Sequence, residues 1–151
     1  MVITFVGHRD IPISTELSNN IAETIKSNIS EHEPVTFYCG GYGHFDFCCA
    51  QVCHSLKNEI PSCEIVLVTP YISPSHQAKL KHWTDSKLYD AIIYPPIEKT
   101  PPRFAILKRN QWMISQADLV IAYVLHSIGG AYSSLEYAYQ KKKRIINLAQ
   151  K

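Results

Sequence analysis

The spacing of apolar residues changes period repeatedly along this chain, and each change marks an element. Residues 2–6 (VITFV) make a short apolar run that stops at Gly7-His8-Arg9-Asp10, as a strand stops at a turn. Behind Ser14, the residues Leu17, Ile21, Ile25 and Ile29 step by four, which predicts an amphipathic helix with a serine N-cap. A second strand is expected at 35–39 (VTFYC), followed by Gly40-Gly41-Tyr42-Gly43 and a helix with Phe45, Cys49, Val52 and Leu56 on its inner face. A third strand at 64–68 (EIVLV) leads into a loop at 69–76, with a short helix over 74–82. A weaker strand at 91–94 precedes Pro95, Pro96, Pro101 and Pro102, which bar regular structure there. The spacing then predicts a helix over 103–116 with Ile106, Met113 and Ala117 inward. The unbroken apolar run 119–124 suits a strand buried on both faces of a parallel sheet. After Gly129-Gly130 a helix starts at Ala131, carrying Leu135, Ala138 and Tyr139 at helical spacing, and 144–148 (RIINL) closes the sheet.

Strands alternate with helices throughout, the pattern of an α/β fold with a doubly wound, mostly parallel sheet in a single three-layer domain, 1–151. A hydrophobic fraction of 46% and a charged fraction of 19% provide for an ordinary globular core. The net charge is only +2, with no basic stripe, so nucleic acid is not expected as a partner. No apolar run approaches the ~20 residues of a membrane helix, and the chain enters its first strand without a signal-peptide pattern. A cytoplasmic location and no membrane partner are the expectation. The five cysteines include Cys49 and Cys53 at i, i+4, but no CxxC or matching Cys/His pair accompanies them. They read as buried free thiols, with no metal site and no cofactor expected.

The glycines narrow the search for a site. All six fall in three places, Gly7, then Gly40, Gly41 and Gly43, then Gly129 and Gly130, each directly after an expected strand. In an open parallel sheet those turns share one edge, where ligands bind. Any strand-to-helix turn can use glycine, but here no glycine falls anywhere else. The Gly129-Gly130 turn feeds a helix N-terminus, whose unbonded N–H groups and dipole favour an anion. Neither GxGxxG nor GxxxxGK[ST] is present, so the site carries no dinucleotide or P-loop signature. His8 and Arg9 place positive charge beside the edge; Arg103, Arg109 and Asn110 lie on the helix before the central strand, and Ser127, Ser133 and Ser134 offer hydroxyls around the glycine turn. Ala131 opens the helix, and Glu136, three residues after Ser133, shares a side with it. Tyr42 can stack a base or pack in the core. Asp46 reads as a cap or dipole partner of its helix.

Several of these segments together resemble a known group. Gly7-His8-Arg9-Asp10, FYCGGYGHFD at 37–46, RFAILKRNQWMI at 103–114, AYVLHSIGGA and IINLA are similar to the SLOG superfamily, in particular to its small single-domain bacterial and phage members, over essentially the whole chain. That superfamily groups Rossmann-like folds related to the cytokinin-activating LOG enzymes and to the DNA-processing protein A family. The LOG signature places an arginine four residues before a methionine and then PGGxGTxxE. Here Arg109 stands four before Met113, and the stretch from Gly129 to Glu136 runs in register with GGxGTxxE. Ser133 takes the place of the threonine, Tyr132 that of the third glycine, and Trp112 that of an acidic residue; no proline precedes Gly129.

The resemblance implies a ligand derived from a nucleotide, such as ADP-ribose, a cyclic ADP-ribose-type molecule or another phosphorylated ribose. The chain would sense or sequester it, as SLOG modules do in bacterial immunity, or deplete it in phage counter-defence. It equally implies an alternative, hydrolysis of the N-glycosidic bond of a nucleoside monophosphate, with Glu136 and Arg109 catalytic. A third reading, single-stranded nucleic-acid binding, follows from the DNA-processing relatives. The family habit of completing sites across an interface implies a homo-oligomer, a dimer or larger.

Overall fold

The computed structural model describes residues 1–30, 32–60 and 62–149, so the outermost part of the 1–151 extent lies outside the described residues. Six parallel strands form one sheet in the order β4-β3-β2-β1-β5-β6. They are β1 (Val2–Gly7), β2 (Val35–Cys39), β3 (Cys63–Val68), β4 (Ala91–Ile93), β5 (Leu119–Tyr123) and β6 (Arg144–Asn147). The helices are α1 (Thr15–Asn28), α2 (Gly43–Ser55), α3 (Pro74–Asp85), α4 (Ala105–Gln116) and α5 (Gly130–Gln140). The sheet grows outward from β1 to β4, and then α4 carries the chain back so that β5 pairs with β1 on its other side. That reversal between β1 and β5 is a topological switch point, where the turns on either side diverge and leave a crevice at the strand C-termini. The expected α/β, doubly wound, three-layer arrangement is what the chain adopts.

Strand periodicity divides the core between two layers. Ile3, Phe5, Phe37, Ile65, Leu119 and Ile121 face α1 and α2, and all are buried. Their neighbours Val6, Val120 and Ala122 face the other way, against Ile114 and against Leu135 and Ala138 of α5. The α1 stripe buries Leu17, Ile21 and Ile25, each contributing about 2 kcal/mol by leaving water. Ser14 caps that helix as its sequence predicts, its Oγ accepting the Leu17 N–H at 3.1 Å. All five cysteines are free thiols, and Cys39, Cys48, Cys49 and Cys53 are buried.

Two boundaries differ from the sequence pattern for local reasons. The helix expected from 103 begins at Ala105, because the prolines at 101 and 102 impose a short 3-10 turn, Pro102–Phe104, first. The last helix starts one residue early, at Gly130, with Gly129 as its N-cap at φ 96°, a conformation that glycine adopts without strain.

Candidate functional site

The crevice at the switch point is a cleft of about 250 Å³. Its walls come from every element that converges there: Gly7, His8 and Arg9 from the end of β1, Tyr42 and Asp46 from the start of α2, Arg109 and Asn110 from α4, and Gly130, Ala131 and Ser134 from α5. The N-terminus of α5 enters it without a side-chain cap, so its first N–H groups have no intrahelical acceptor. Among the described residues, chain neighbours and the helix's own backbone aside, neither Gly129 nor Gly130 has a heavy atom within 4 Å of where a Cβ would stand. The backbone there borders open space. Ser134 is 1% exposed, and its Oγ has no hydrogen-bond partner among the described residues. A hydroxyl so placed costs about 1–3 kcal/mol unless a ligand or water satisfies it.

Arg109 occupies a position that its spacing did not reveal. It is 1% exposed, on the inward face of α4. One guanidinium nitrogen, Nη1, donates to the Gly40 carbonyl at 2.7 Å and to the Val68 carbonyl at 2.8 Å, while Nε donates to Asn110 Oδ1 at 2.9 Å. The guanidinium thus ties the C-terminal ends of β2 and β3 to α4. It also lies 5.4 Å from the Tyr42 ring centroid, and Arg9 lies 5.9 Å from the same ring. Asp46, half-buried at the cleft wall, accepts the Tyr42 N–H at 3.3 Å, the helix-start role its position suggested. Burial pushes its carboxyl up to about 6, against the opposing pull of Arg109, the Tyr42 N–H and Arg9. The cleft therefore holds two cations and a carboxyl that titrates near neutrality.

Gly7, His8, Arg9, Tyr42, Arg109, Asn110, Gly130 and Ala131 are brought together in this cleft. Gly40 and Gly41 line a neighbouring one, with Tyr42 shared between the two. Gly43 begins α2 at φ 86°, and a Cβ there would meet the Arg9 Cα at 2.7 Å. The others lie outside. Arg103 is exposed in the 3-10 turn, its guanidinium over the Phe104 ring. Ser127 and Ser133 are exposed and do not line the cleft. Glu136 is exposed too: at 100° per residue it stands some 200° round α5 from Ser134, away from the cleft. Of the three serines near the turn, Ser134 is the one that lines the cleft, and the spacing Gly130, Ala131, Ser134 (i, i+1, i+4) is the signal that singles it out. Phe5, Val6 and Ile106 complete the walls, and their apolar character concealed them among core residues.

No family model matches the chain, and no curated protein matches its sequence. Solved structures do match its fold. DNA processing protein A from Helicobacter pylori, described for its single-stranded DNA binding mode, is 18% identical with a TM-score of 0.64, covering 100% of this chain and 66% of that one. The structural-genomics target TM1055 is 12% identical with a TM-score of 0.56, over 95% of this chain and 71% of the other. DNA processing protein A from Streptococcus pneumoniae is 15% identical with a TM-score of 0.52, over 98% and 59%. The chain thus shares a Rossmann-like fold with DNA processing protein A, and it spans 66% and 59% of the two DNA processing protein A chains.

This likeness corrects one expectation. A net charge of only +2 argues against nucleic acid as a partner, yet the same fold occurs in a protein described for its single-stranded DNA binding mode. Net charge sums over the whole surface, whereas strand binding depends on where a few cations and aromatic rings stand. Among the described residues no helix is long and apolar enough to cross a membrane.

Proposed function

We propose that this chain binds a nucleotide-derived small molecule through its phosphate, in the cleft between β1 and β5, and acts by sensing or sequestering it. The observation that carries this reading is Ser134: a buried hydroxyl without a partner, beside an uncapped helix N-terminus that borders open space. A phosphate oxygen there accepts from Ser134 and from the first N–H groups of α5, with the dipole adding to the attraction. Arg9 adds an exposed cation, and Arg109 braces the ends of β2 and β3 beside it, both within 6 Å of the Tyr42 ring centroid. ADP-ribose, a cyclic ADP-ribose-type molecule or another phosphorylated ribose fits this chemistry. Hydrolysis of a glycosidic bond by Glu136 draws no support from an exposed carboxylate turned away from the cleft.

The test is native mass spectrometry of the purified protein, with any released small molecule identified, followed by calorimetric titration with ADP-ribose, cyclic ADP-ribose and ribose 5-phosphate. Binding that Gly130→Val abolishes supports the reading. Absence of binding across the panel, with nothing co-purifying, overturns it.

A second reading rests on the fold shared with a single-stranded-DNA-binding protein. One phosphate of a strand would occupy the same cleft, and the salt dependence of the interaction separates the two sources. Oligonucleotide affinity falling steeply between about 50 and 200 mM salt identifies a strand with several phosphate contacts.

A further inference from the structure

A second cleft, of about 230 Å³, lies on the same sheet edge beyond Tyr42, above the ends of β2 and β3. Its character differs from the first. Leu67 and Pro70 form one side, Leu80 and Trp83 of α3 another, and the Gly40-Gly41 backbone presents no side chain along the border toward Tyr42. Besides Tyr42 and Trp83, the side chains with polar atoms in its lining are Thr69, His76 and Lys79. The buried Thr69 hydroxyl is already engaged with His76 Nε2 at 2.8 Å and with the Tyr71 carbonyl at 3.0 Å, and Lys79 has no ion-pair partner among the described residues. The cleft is thus a largely apolar slot with an aromatic wall, the exposed Lys79 beside His76, and a boundary at Tyr42 shared with the first cleft.

We infer that this second cleft receives the nucleobase of the same ligand, so that a nucleotide lies across Tyr42 with its phosphate at Gly130 and its base between Leu67 and Trp83. The inference rests on the phosphate assignment made above. Strands are about 4.8 Å apart, so a crevice over β1 and β5 and a slot over β2 and β3 are about 10 Å apart, the reach from a phosphate across a ribose to the far side of a base. The walls suit a flat heteroaromatic ring, which stacks on aromatic side chains and needs few polar partners. Lys79 adds a donor for a ring nitrogen or carbonyl. The two clefts together select a nucleotide over a sugar phosphate.

The chain has two tryptophans. Trp112 packs against Tyr38, 5.4 Å between ring centroids, and lines neither cleft. A Trp112→Phe variant therefore leaves Trp83 as a fluorescent reporter inside the second cleft. This variant is titrated with the four ribonucleoside 5′-monophosphates, ADP-ribose and ribose 5-phosphate, with binding followed in parallel by calorimetry. At least one nucleotide is expected to bind about tenfold or more tighter than ribose 5-phosphate and to change Trp83 emission, while ribose 5-phosphate binds without doing so. Lys79→Glu, an exposed substitution that leaves the fold intact, should weaken the nucleotide and spare ribose 5-phosphate. Nucleotides that bind no tighter than ribose 5-phosphate, with Trp83 silent, overturn the base slot while the phosphate site stands. Failure of every probe to bind overturns both. A Trp83 response to oligothymidylate alone replaces the small molecule with a strand and overturns the assignment as stated.

Discussion

His8 holds Leu125 in place: its Nε2 accepts the Leu125 N–H at 2.9 Å and also lies 3.3 Å from the His126 N–H. The end of β1 is thereby joined to the loop that delivers Gly129 and Gly130 to the cleft. Two N–H donors require a lone pair on Nε2, so the ring is neutral with its proton on Nδ1. Burial and the neighbouring His126 ring, 4.9 Å between centroids, hold the His8 pKa below its ordinary 6.5. Below 6.5 the unfolded chain takes up a proton that the folded chain still refuses, so the stabilisation is complete above 6.5 and fades as pH falls through the folded value. Denaturation midpoints of the protein and of His8→Phe, measured from neutral to mildly acid pH, should converge as the medium is acidified. At neutral pH the variant should be less stable by about 1 kcal/mol, the net worth of one hydrogen bond.

Arg109 is expected to act on stability before it acts on any ligand. Arg109→Ala strips the Gly40 and Val68 carbonyls of their shared donor in a buried setting, at a cost of about 3 kcal/mol. Arg109→Lys should recover only part of this, since one ammonium cannot span the two carbonyls and Asn110 as the planar guanidinium does. Urea denaturation measures both. A fully stable Arg109→Ala protein would show that the brace is dispensable.

Asp46 predicts a pH effect of opposite sign to that of His8. Its folded value, about 6, lies above the ordinary 3.8. Between these values the folded chain keeps a proton that the unfolded chain has released, so stability falls as pH rises through this window, by about 3 kcal/mol in all. Asp46→Asn should remove that fall while keeping an acceptor for the Tyr42 N–H. The same variant should bind phosphorylated ligands more tightly above pH 6, because the wild-type carboxylate repels a phosphate there. Titration calorimetry on either side of pH 6 checks the second effect independently of the first.

Two glycines at the same edge should separate folding from binding. A Cβ on Gly7 would fall 2.2 Å from Phe45 Cδ2, inside a fully buried ring, so Gly7→Ala should destabilise the fold by about 1–3 kcal/mol. A Cβ on Gly130 meets no side chain among the described residues, so Gly130→Ala should leave the thermal midpoint unchanged or slightly raised. Thermal denaturation of the pair is the check, and equal losses would contradict the open space at Gly130.

Local sequence is enough to set the alternation of strands and helices, the serine cap of α1, and the glycine turns at the C-terminal ends of β1, β2 and β5. These depend on local periodicity and backbone conformation, which neighbouring residues carry. Which side of each helix meets the cleft was decided only by packing. Leu135 and Ala138 turn α5 so that Ser134 faces inward and Glu136 faces water, although motif spacing favoured Ser133 and Glu136. Arg109 shows the same limit: its sequence neighbours give no sign that two carbonyls from β2 and β3, 69 and 41 residues away, meet at its guanidinium. Nor could net charge report the partner class, since +2 is a sum and the cleft is an arrangement. Helix phase, burial and the pKa of Asp46 are set by contacts between distant segments, and those exist only once the sheet has closed around its switch point.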